Sequence, residues 1–510
     1  MFVDILKNRK PRFAFFAIAL SSAQFFDASM VEGGDERYEP NWSSLSRHND
    51  EPEWLSDAKL GIYFHWGVYT VPAYGSEWYP FHMYRPGTND VKEYHRTNYG
   101  DPSEFNYHDF VPMFTGEHFD ADEWAQLFKE SGARFAGPCA QHHDGFAMWK
   151  SSVNPWNSFD KGPKKDITGE LGTALRKRGM KLITTFHHAR NRQRHDGNEE
   201  LWHNFGSHYT YHPDYATSSE DPELAKLYGN LGEDEFNEYW HEQLVEVIDQ
   251  YSPDIMWFDS WLNYIPESKR QEFVAYYLNE AKKKGQDVVL AYKHNDLPDE
   301  LGVLDIEQGG KKDLSESVWM TDVTLSLKSW SYIEGQKYKT ADMVVRNMID
   351  VWSKNGIVLL NISPTARGEI NAEQRDVLRE IGAWMKKHAE AVYETRPFEF
   401  MGFGDAVAGE GKYGGQTATV RYSASDGRLL QSKDGKTLYL FLLGKPEVGR
   451  QYALKKLGRH SFYPKEGVKR VTILGSEVEV PWKLGFRDFE FTIPDAELDE
   501  IATVLKLELN

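Results

Sequence analysis

The chain has 510 residues and a formal net charge of −19 at pH 7, from 59 Lys and Arg against 78 Asp and Glu. This length exceeds what one hydrophobic core supports, so two or three domains are expected, and a hydrophobic fraction of 40% excludes a disordered chain. An acidic surface repels polyphosphates, which argues against nucleic acid as a partner.

The N-terminus has the pattern of a secretory signal peptide. Basic residues between Lys7 and Arg12 precede the apolar run 13–20, and the small residues 21–23 follow it. The run is too short for a stable membrane span. Cys139, the one cysteine, cannot form an intramolecular disulfide. We therefore predict a signal peptide over residues 1–29, and a periplasmic or secreted protein, most simply a bacterial one.

A polar linker is predicted over residues 30–51, followed by a barrel domain over 52–392. Short apolar runs that predict buried strands alternate with helical patterns such as 233–250 and 267–284. The runs lie at 60–64, 133–136, 181–186, 255–258, 288–292, 303–306, 318–321 and 357–362. Eight strand–helix units predict an α/β fold, a (β/α)8 TIM-like barrel with insertions.

The pattern of residue types along the chain changes near residue 393. Glycine-rich turns separate the alternating runs 417–422, 437–443 and 501–509. Such runs predict a C-terminal β-sandwich domain over residues 393–510. It gathers no catalytic residue types, so we expect it to pack against the barrel, with a loop at the edge of the pocket.

Asp259 follows the predicted fourth strand and is flanked by Trp257, Phe258 and Trp261. A carboxylate among aromatic residues is costly to bury unless something pairs with it or uses it. In α/β barrels the carboxyl ends of the strands carry the catalytic residues. The alternative is that Asp259 caps the following turn, which is common for aspartate.

Other polar residues also fall at predicted strand ends. Taken singly, each has an ordinary structural interpretation, such as a buried core histidine or a solvated lysine. Consecutive histidines point in opposite directions on a strand, so only one of each pair need face a pocket. Coincidence becomes a poor explanation when all of them lie on one face of a barrel. The residues are His65, Glu77, Trp78, His142, His143, His187, His188, Lys293 and Glu307.

Two hydrolytic chemistries could use such a set: glycoside cleavage by paired carboxylates, or metal-assisted hydrolysis. No His-x-His, HExxH or cysteine-containing ligand pattern is present, so no metal or other cofactor is predicted. No G-x-S-x-G motif supports a nucleophilic serine. Neutral imidazoles and a tryptophan beside a glutamate suit sugar hydroxyls, so the carboxylate pair is favoured.

Several segments together resemble glycoside hydrolase family 29, the retaining α-L-fucosidases. The similar segments are 54–67, 77–79, 135–146, 253–259 and 355–364, in the order of that family's motifs. The resemblance spans roughly residues 51–388 and implies the same barrel followed by a β-sandwich. It implies an exo-acting fucosidase whose partner is a fucosylated glycan or a fucose-containing polysaccharide.

The resemblance also implies roles for individual residues. Asp259 would be the nucleophile, and Glu307 the acid/base, with Glu267 and Glu316 as competitors. The two carboxyl groups of a retaining enzyme lie about 5–5.5 Å apart. Further residues would hold the fucose hydroxyls or wall the pocket near its methyl group. The hydroxyl ligands are His65, Glu77, Trp78, His142 and His143, and the walls are Trp257 and Trp330.

Two departures from the family pattern bear on the substrate. Lys293 stands where many relatives carry an arginine, and His187-His188 where a tyrosine is frequent. A lysine is a point charge and not a rigid fork, so its substrate contacts would differ. We include His187 and Lys293 among the substrate-binding residues. The alternatives are a glycosidase of the same fold acting on another α-L-sugar or on sulfated fucose, and a non-catalytic carbohydrate-binding protein.

Overall fold

The computed structural model describes residues 37–406, 408–409, 411–412, 420–462, 467–476 and 478–510. The predicted signal peptide and the start of the predicted linker lie outside these residues. Tyr38–Asn510 forms one compact unit. No helix within the described residues combines the length and the apolar character needed to cross a membrane.

Eight parallel strands form a closed barrel, in which each strand pairs with the next along the chain and the eighth pairs with the first. Nearly every strand residue is buried, because both faces of a parallel strand are covered in this architecture. The predicted fold class is therefore confirmed. The strands are β1 Leu60–Phe64, β2 Phe135–Gln141, β3 Lys181–Phe186, β4 Ile255–Phe258, β5 Val289–Tyr292, β6 Val303–Asp305, β7 Trp319–Thr324 and β8 Gly356–Ile362.

The helices cover the outside of the barrel and its insertions, and several begin where the sequence predicts. Asp120 caps α5 by accepting a hydrogen bond from the Glu123 amide, and Asp166 caps α6 through the Gly169 amide. The helices are α1 Trp42–Leu45, α2 Glu53–Ala58, α3 Tyr79–Tyr84, α4 Asp90–Asn98, α5 Ala121–Glu130, α6 Ile167–Lys177, α7 Pro222–Tyr228, α8 Glu233–Tyr251, α9 Glu267–Lys283, α10 Ala341–Trp352, α11 Ala372–Lys387 and α12 Ala389–Val392.

The expectation of eight strand–helix units is wrong for the fifth and sixth units. Within residues 293–318, all of which the structure describes, the helical structure is a single 3₁₀ turn at Asp299–Leu301. The segment contains Pro298 and the consecutive glycines Gly309 and Gly310, which disfavour a helix. Instead, Gly309–Gly310 pairs with Gly411–Lys412 of the C-terminal domain. A loop of that domain thus lies beside the segment that carries Glu307.

Strand β2 is longer than predicted because it continues through Gly137 and Pro138. Glycine and proline usually end a strand, so the sequence predicted that this strand ends at Ala136. A Cβ atom on Gly137 would lie 1.7 Å from the Ile183 carbonyl oxygen of β3. The glycine therefore lets two neighbouring strands approach closely, and the strand runs on to Gln141, directly before the two histidines.

The C-terminal domain is a β-sandwich, as predicted. Its antiparallel strands form a five-stranded sheet and a three-stranded sheet, which share one apolar core that includes Leu440 and Phe489. The predicted runs 437–443 and 501–509 are strands, whereas residues 420–422 are not, and 417–419 lie outside the described residues. The strands are β9 Thr395–Phe403, β10 Gly427–Ser432, β11 Thr437–Leu442, β12 Gln451–Lys455, β13 Val468–Ile473, β14 Trp482–Leu484, β15 Asp488–Thr492 and β16 Thr503–Leu509.

The predicted linker needs a correction in its described part. Residues 42–45 form α1, Leu45 is fully buried in the main core, and the Tyr38 amide donates to the Asn279 side chain of α9 at 2.9 Å. Residues 38–51 therefore belong to the folded unit. The polar composition of this segment gave no sign that Leu45 is buried or that Tyr38 bonds to the buried Asn279. These two contacts are enough to anchor a short segment.

Candidate active site

A cavity of about 560 Å³ opens at the carboxyl ends of the barrel strands. Ten of the eleven predicted site residues line it, although their roles stay predictions. It is lined by His65, Gly75, Ser76, Glu77, Trp78, His82, His142, His143, His187, Phe205, Asp259, Ser260, Trp261, Lys293, Glu307, Asp322, Lys328 and Trp330.

The eleventh residue, Trp257, does not line the cavity. Its side chain is fully buried, and its ring lies 5.3 Å from the His187 ring and 4.9 Å from the Lys293 ammonium. Trp257 is in the middle of β4, so its side chain packs inside the barrel beneath the residues that form the cavity surface. In this structure Trp257 supports two residues that line the cavity, and its role as a wall of the sugar pocket stays a prediction.

Lys293 holds the centre of an acidic cluster. Its ammonium nitrogen lies 3.0 Å from Asp259 Oδ1, 3.3 Å from Glu307 Oε2 and 3.4 Å from Asp322 Oδ2. The four side chains come from the ends of β4, β5 and β6 and from β7, which barrel closure brings to one edge. Three neighbouring carboxylates raise the pKa of Lys293 well above its ordinary value, although burial alone would lower it. Lys293 is therefore a permanent cation.

Asp259 is held as a carboxylate. Burial would raise its pKa, but Lys293, His187 and His143 together bring the pKa well below the ordinary aspartate value. His143 Nδ1 donates to the His187 carbonyl oxygen at 2.5 Å, and its Nε2 lies 3.4 Å from Asp259 Oδ2. A carbonyl oxygen can only accept, so this contact sets the hydrogen on Nδ1 and fixes the orientation of the ring.

The sequence analysis missed a second pair of acids below Lys293. Asp305 and Asp322 are buried and lie in hydrogen-bonding contact, and Tyr63 donates its hydroxyl to Asp322 Oδ2 at 3.0 Å. Among the described residues, no N–H or O–H group reaches either oxygen of Asp305 or Oδ1 of Asp322. A proton shared between the two carboxyl groups satisfies one oxygen of each, and burial raises the pKa of both groups. An aspartate inside the fully buried strand β7 was the available signal.

Three buried histidines form one side of the cavity. The ring centroids of His65, His142 and His187 lie 4.7–5.4 Å from one another. Burial lowers the pKa of each ring, to about 4 for His65, so all three are neutral at pH 7. The Nδ1 atom of His65 lies 2.8 Å from the Asn361 side-chain oxygen. Neutral rings can both donate to and accept from hydroxyl groups.

The two histidine pairs behave differently. His142 and His143 both line the cavity, contrary to the expectation of opposite directions, because they follow the end of β2 and do not lie within it. In the second pair, His187 lines the cavity, whereas His188 points away and stacks on Trp240 with a centroid distance of 5.9 Å. Both pairs follow the end of a strand and do not lie within one, so strand alternation does not fix their directions, and the expectation holds for the second pair only.

Glu77 is a buried acceptor on the opposite side. Its Oε2 atom accepts from the Ser329 hydroxyl at 3.2 Å and from the backbone amides of Trp330 and Ser331 at 3.2 and 3.3 Å. Burial raises the pKa of Glu77, and these hydrogen bonds oppose the shift. Glu77 therefore ties the first cavity loop to the loop after β7, which carries Trp330.

One group of side chains has the composition of a metal site. Single ligand atoms of His65, Cys139 and His187 lie within 4.8 Å of one another. Burial raises the pKa of the Cys139 thiol well above its ordinary value. The Cys139 sulfur contacts His187 Nδ1 at 3.3 Å. The three side chains therefore form a buried, hydrogen-bonded group beside the cavity.

Neither competitor of Glu307 lies at the cavity. Glu267 begins α9 and accepts from the Trp42 indole nitrogen, and Glu316 is an exposed residue before β7 whose carbonyl accepts from Asn355. Both stand outside the set of cavity residues. Of the three glutamates considered for the acid/base, Glu307 is the one at the cavity, where it shares a contact with Lys293 with Asp259.

Comparison with known proteins agrees with this geometry. The family model described as alpha-L-fucosidase matches residues 26–390. The human tissue alpha-L-fucosidase is 31% identical over 369 residues, covering 71% of this chain and 73% of its own. The bovine tissue alpha-L-fucosidase is 27% identical and covers 92% of this chain and 91% of its own.

Solved structures show the same likeness in three dimensions. An alpha-fucosidase of Thermotoga maritima in complex with fucose superposes with a TM-score of 0.72 at 26% identity, covering 92% of this chain and 100% of that chain. The family model and these relatives cover the barrel that carries the acidic cluster. The chain belongs to the α-L-fucosidase family, glycoside hydrolase family 29.

Proposed function

We propose that the protein is an exo-acting α-L-fucosidase in which Asp259 is the nucleophile and Glu307 the acid/base. The observation that carries the proposal is the shared contact of both carboxylates with Lys293. Asp259 Oδ1 and Glu307 Oε2 lie within 6.3 Å of each other, the sum of their 3.0 and 3.3 Å distances to the ammonium nitrogen. Inverting enzymes separate the pair by about 6.5–9.5 Å, so the bound favours the retaining geometry.

In the first step an Asp259 oxygen attacks the anomeric carbon of fucose, and the bond from that carbon to the leaving oxygen breaks. Glu307 gives its proton to that oxygen. In the second step Glu307 removes a proton from water, the water oxygen bonds to the anomeric carbon, and Asp259 is released as a carboxylate. Two inversions retain the configuration. The low pKa of Asp259 supports its role, because only the ionised form attacks.

Lys293 suits the charge changes of this reaction. It stabilises the resting Asp259 carboxylate, and it offers its charge to Glu307 when that group loses its proton in the first step. The ammonium moves no proton itself, since its pKa lies well above the ordinary lysine value. A fixed cation between the two acids is the kind of preorganised electrostatic support that enzymes use at developing charges.

The remaining cavity residues suit a single deoxy-sugar. His65 and His142 present neutral nitrogens to hydroxyl groups, His143 contacts the nucleophile Asp259, and Glu77 presents a buried carboxyl group. Trp330, 7% exposed, supplies an apolar surface for a methyl group.

The three residues that the sequence suggested for sulfated fucose do not favour it. Lys293 is already held by three carboxylates, His187 is neutral, and His188 is buried outside the cavity. A non-catalytic binding protein is disfavoured because both acids are present at a spacing that the reaction can use. We therefore propose the terminal α-L-fucose of a glycan as the substrate.

The test is hydrolysis of an aryl α-L-fucoside by wild type, Asp259→Gly and Glu307→Ala. We expect a loss of kcat of about 10⁴-fold or more for the first variant, since a nucleophile has no substitute, and a loss of about 10²–10⁴-fold for the second. Glu267→Ala and Glu316→Ala are matched controls, because both remove a glutamate outside the cavity. They should keep wild-type rates.

Azide assigns the two roles. With Asp259→Gly, azide should enter the vacated space and give the β-fucosyl azide, with inverted configuration. With Glu307→Ala, azide should attack the covalent intermediate and give the α-fucosyl azide. Retained configuration from the first variant, or wild-type turnover by the second, would refute the assignment.

We also infer export from the basic, apolar and small-residue order of the first 23 residues. Expression of the full chain in a bacterium, with N-terminal sequencing of the extracytoplasmic protein, tests it. Removal of about 29 residues is expected, and an intact N-terminus in the cytoplasm would contradict it.

A further inference from the structure

An exposed aromatic ring stands at the mouth of the cavity. Phe205 lines the cavity, yet 52% of its surface is exposed. It belongs to the long segment 187–232 between β3 and α8. Burial of apolar surface is what normally positions a phenylalanine. A half-exposed ring at the entrance to a site therefore points to a ligand that covers it.

The Phe205 ring is held in place by a buried cation. The guanidinium carbon of Arg190 lies 4.3 Å from the Phe205 ring centroid, and Arg190 Nε donates to the Phe205 carbonyl oxygen at 3.1 Å. Arg190 is fully buried and also lies 4.5 Å from the Trp78 ring and 4.9 Å from the Trp261 ring. One side chain thus orders three rings before any ligand binds, which lowers the entropy lost on binding.

Trp261 forms the other side of this entrance. Its ring centroid lies 5.9 Å from that of Phe205, with the two planes at 67°. The backbone of Trp261 has a φ of +85°, in the left-handed region that bulky residues rarely adopt. Such backbone conformations concentrate at ligand-binding sites, where surrounding contacts enforce them. Trp261 lines the cavity two residues after Asp259, so the turn directs an aromatic residue to the point where the leaving group must lie.

Polar groups border the two rings. Ser260 lines the cavity, and its hydroxyl oxygen lies 3.0 Å from Nε2 of the exposed His294. The exposed Lys328 lines the same cavity. A hexopyranose combines an apolar face of C–H bonds with an edge of hydroxyl groups. An aromatic wall bordered by hydroxyl, imidazole and ammonium groups complements both features.

We propose that Phe205 and Trp261 form a binding site for the sugar ring to which the fucose is attached. The proposal rests on the proposed function, because a fucose held against Asp259 places its leaving group at the cavity mouth. The ligand is a neutral hexopyranose such as galactose, stacked by its apolar face on Phe205. The segment 187–232 thereby determines which glycans are accepted, while the barrel residues recognise fucose.

The test compares two substrates that differ only in the leaving group. α-L-Fucosyl fluoride has no ring to stack, whereas a fucosyl-galactose disaccharide does. We expect Phe205→Ala to lower the ratio of kcat/KM for the disaccharide to that for the fluoride about tenfold, equivalent to about 1.4 kcal/mol. Phe205→Tyr retains a ring and should keep the wild-type ratio. Phe486→Ala is the matched control, because Phe486 is 69% exposed and lies in the C-terminal domain.

An unchanged ratio in Phe205→Ala would overturn the proposal, as would a wild type that hydrolyses the fluoride and not the disaccharide. A wild type inactive on both substrates would refute the proposed function. The sugar site is then decided by calorimetry on Asp259→Gly. Disaccharide affinity should fall about tenfold when Phe205→Ala is added, and an equal affinity would overturn the proposed site.

Discussion

Replacement of Lys293 by methionine removes the one ammonium from the acidic cluster while keeping much of the side-chain volume. Lys293 is 5% exposed and contacts Asp259, Glu307 and Asp322 at 3.0, 3.3 and 3.4 Å. Removing one partner of a buried ion pair leaves an uncompensated charge and destabilises a protein by about 3–5 kcal/mol. Since three carboxylates lose the same cation, we expect a loss of about 5 kcal/mol at pH 7.5.

The loss should depend on pH in a defined direction. In wild type, Lys293 holds the pKa of Asp259 low, so the pair stabilises the fold above the pKa of an unfolded aspartate, about 3.9. In the variant, burial instead raises the pKa of the carboxyl groups, so protonation relieves the penalty as the pH falls. The difference between wild type and variant is therefore largest at neutral pH and shrinks toward pH 4.

Urea unfolding followed by tryptophan fluorescence at pH 7.5, 6 and 5 measures this difference. Lys283→Met is the matched control, because Lys283 is 69% exposed and forms a surface ion pair with Glu280. We expect the control to cost less than about 1 kcal/mol at every pH. A Lys293→Met variant within about 1 kcal/mol of wild type, with the same pH dependence, would refute the reasoning.

Three further predictions concern stability. Burial raises the pKa of Asp144 to about 7. The contribution of Asp144 to the free energy of unfolding therefore falls as the pH rises from about 4 to about 7. Asp144→Asn should flatten the pH dependence of the unfolding midpoint over that range. Gly137→Ala should prevent soluble folding, because its Cβ would lie 1.7 Å from a backbone oxygen. Gly232→Ala should express as wild type, because a Cβ there would have no atom of the described residues within 4 Å. Arg428→Met should lower the unfolding free energy by about 3 kcal/mol. The reason is that Arg428 Nε lies 2.6 Å from Oδ1 of Asp350 on α10 and so joins the sandwich to the barrel. An unchanged urea midpoint would contradict this role.

Local patterns in the chain were sufficient for most of the architecture. Strands buried on both faces appear as short continuous apolar runs, so all eight barrel strands were predicted near their observed positions. Helix starts were readable where aspartate caps them, as at Asp120 and Asp166. The failures fall where local preference and tertiary structure disagree. Gly137 and Pro138 lie inside a strand, and residues 293–318 contain no α-helix.

The site was predictable in position and less so in detail. Asp259 could be recognised because a carboxylate followed an aromatic strand. Asp305 and Asp322 could not be paired from the sequence, since they belong to different strands and meet only when the barrel closes. The inward direction of Trp257 and the outward direction of His188 likewise depend on strand register and loop geometry. Arg190 gave no signal, because an arginine in a loop is ordinarily exposed.

The sequence by itself determined the order of strands, the domain that carries the chemistry and the strand ends at which acids and histidines occur. These follow from periodicity and residue type, which act over a few neighbouring residues. The tertiary structure alone decided that one lysine contacts three carboxylates, and that a buried arginine orders the rings at the entrance. Such contacts join residues tens of positions apart, so they exist only after closure of the barrel brings its strand ends to one edge.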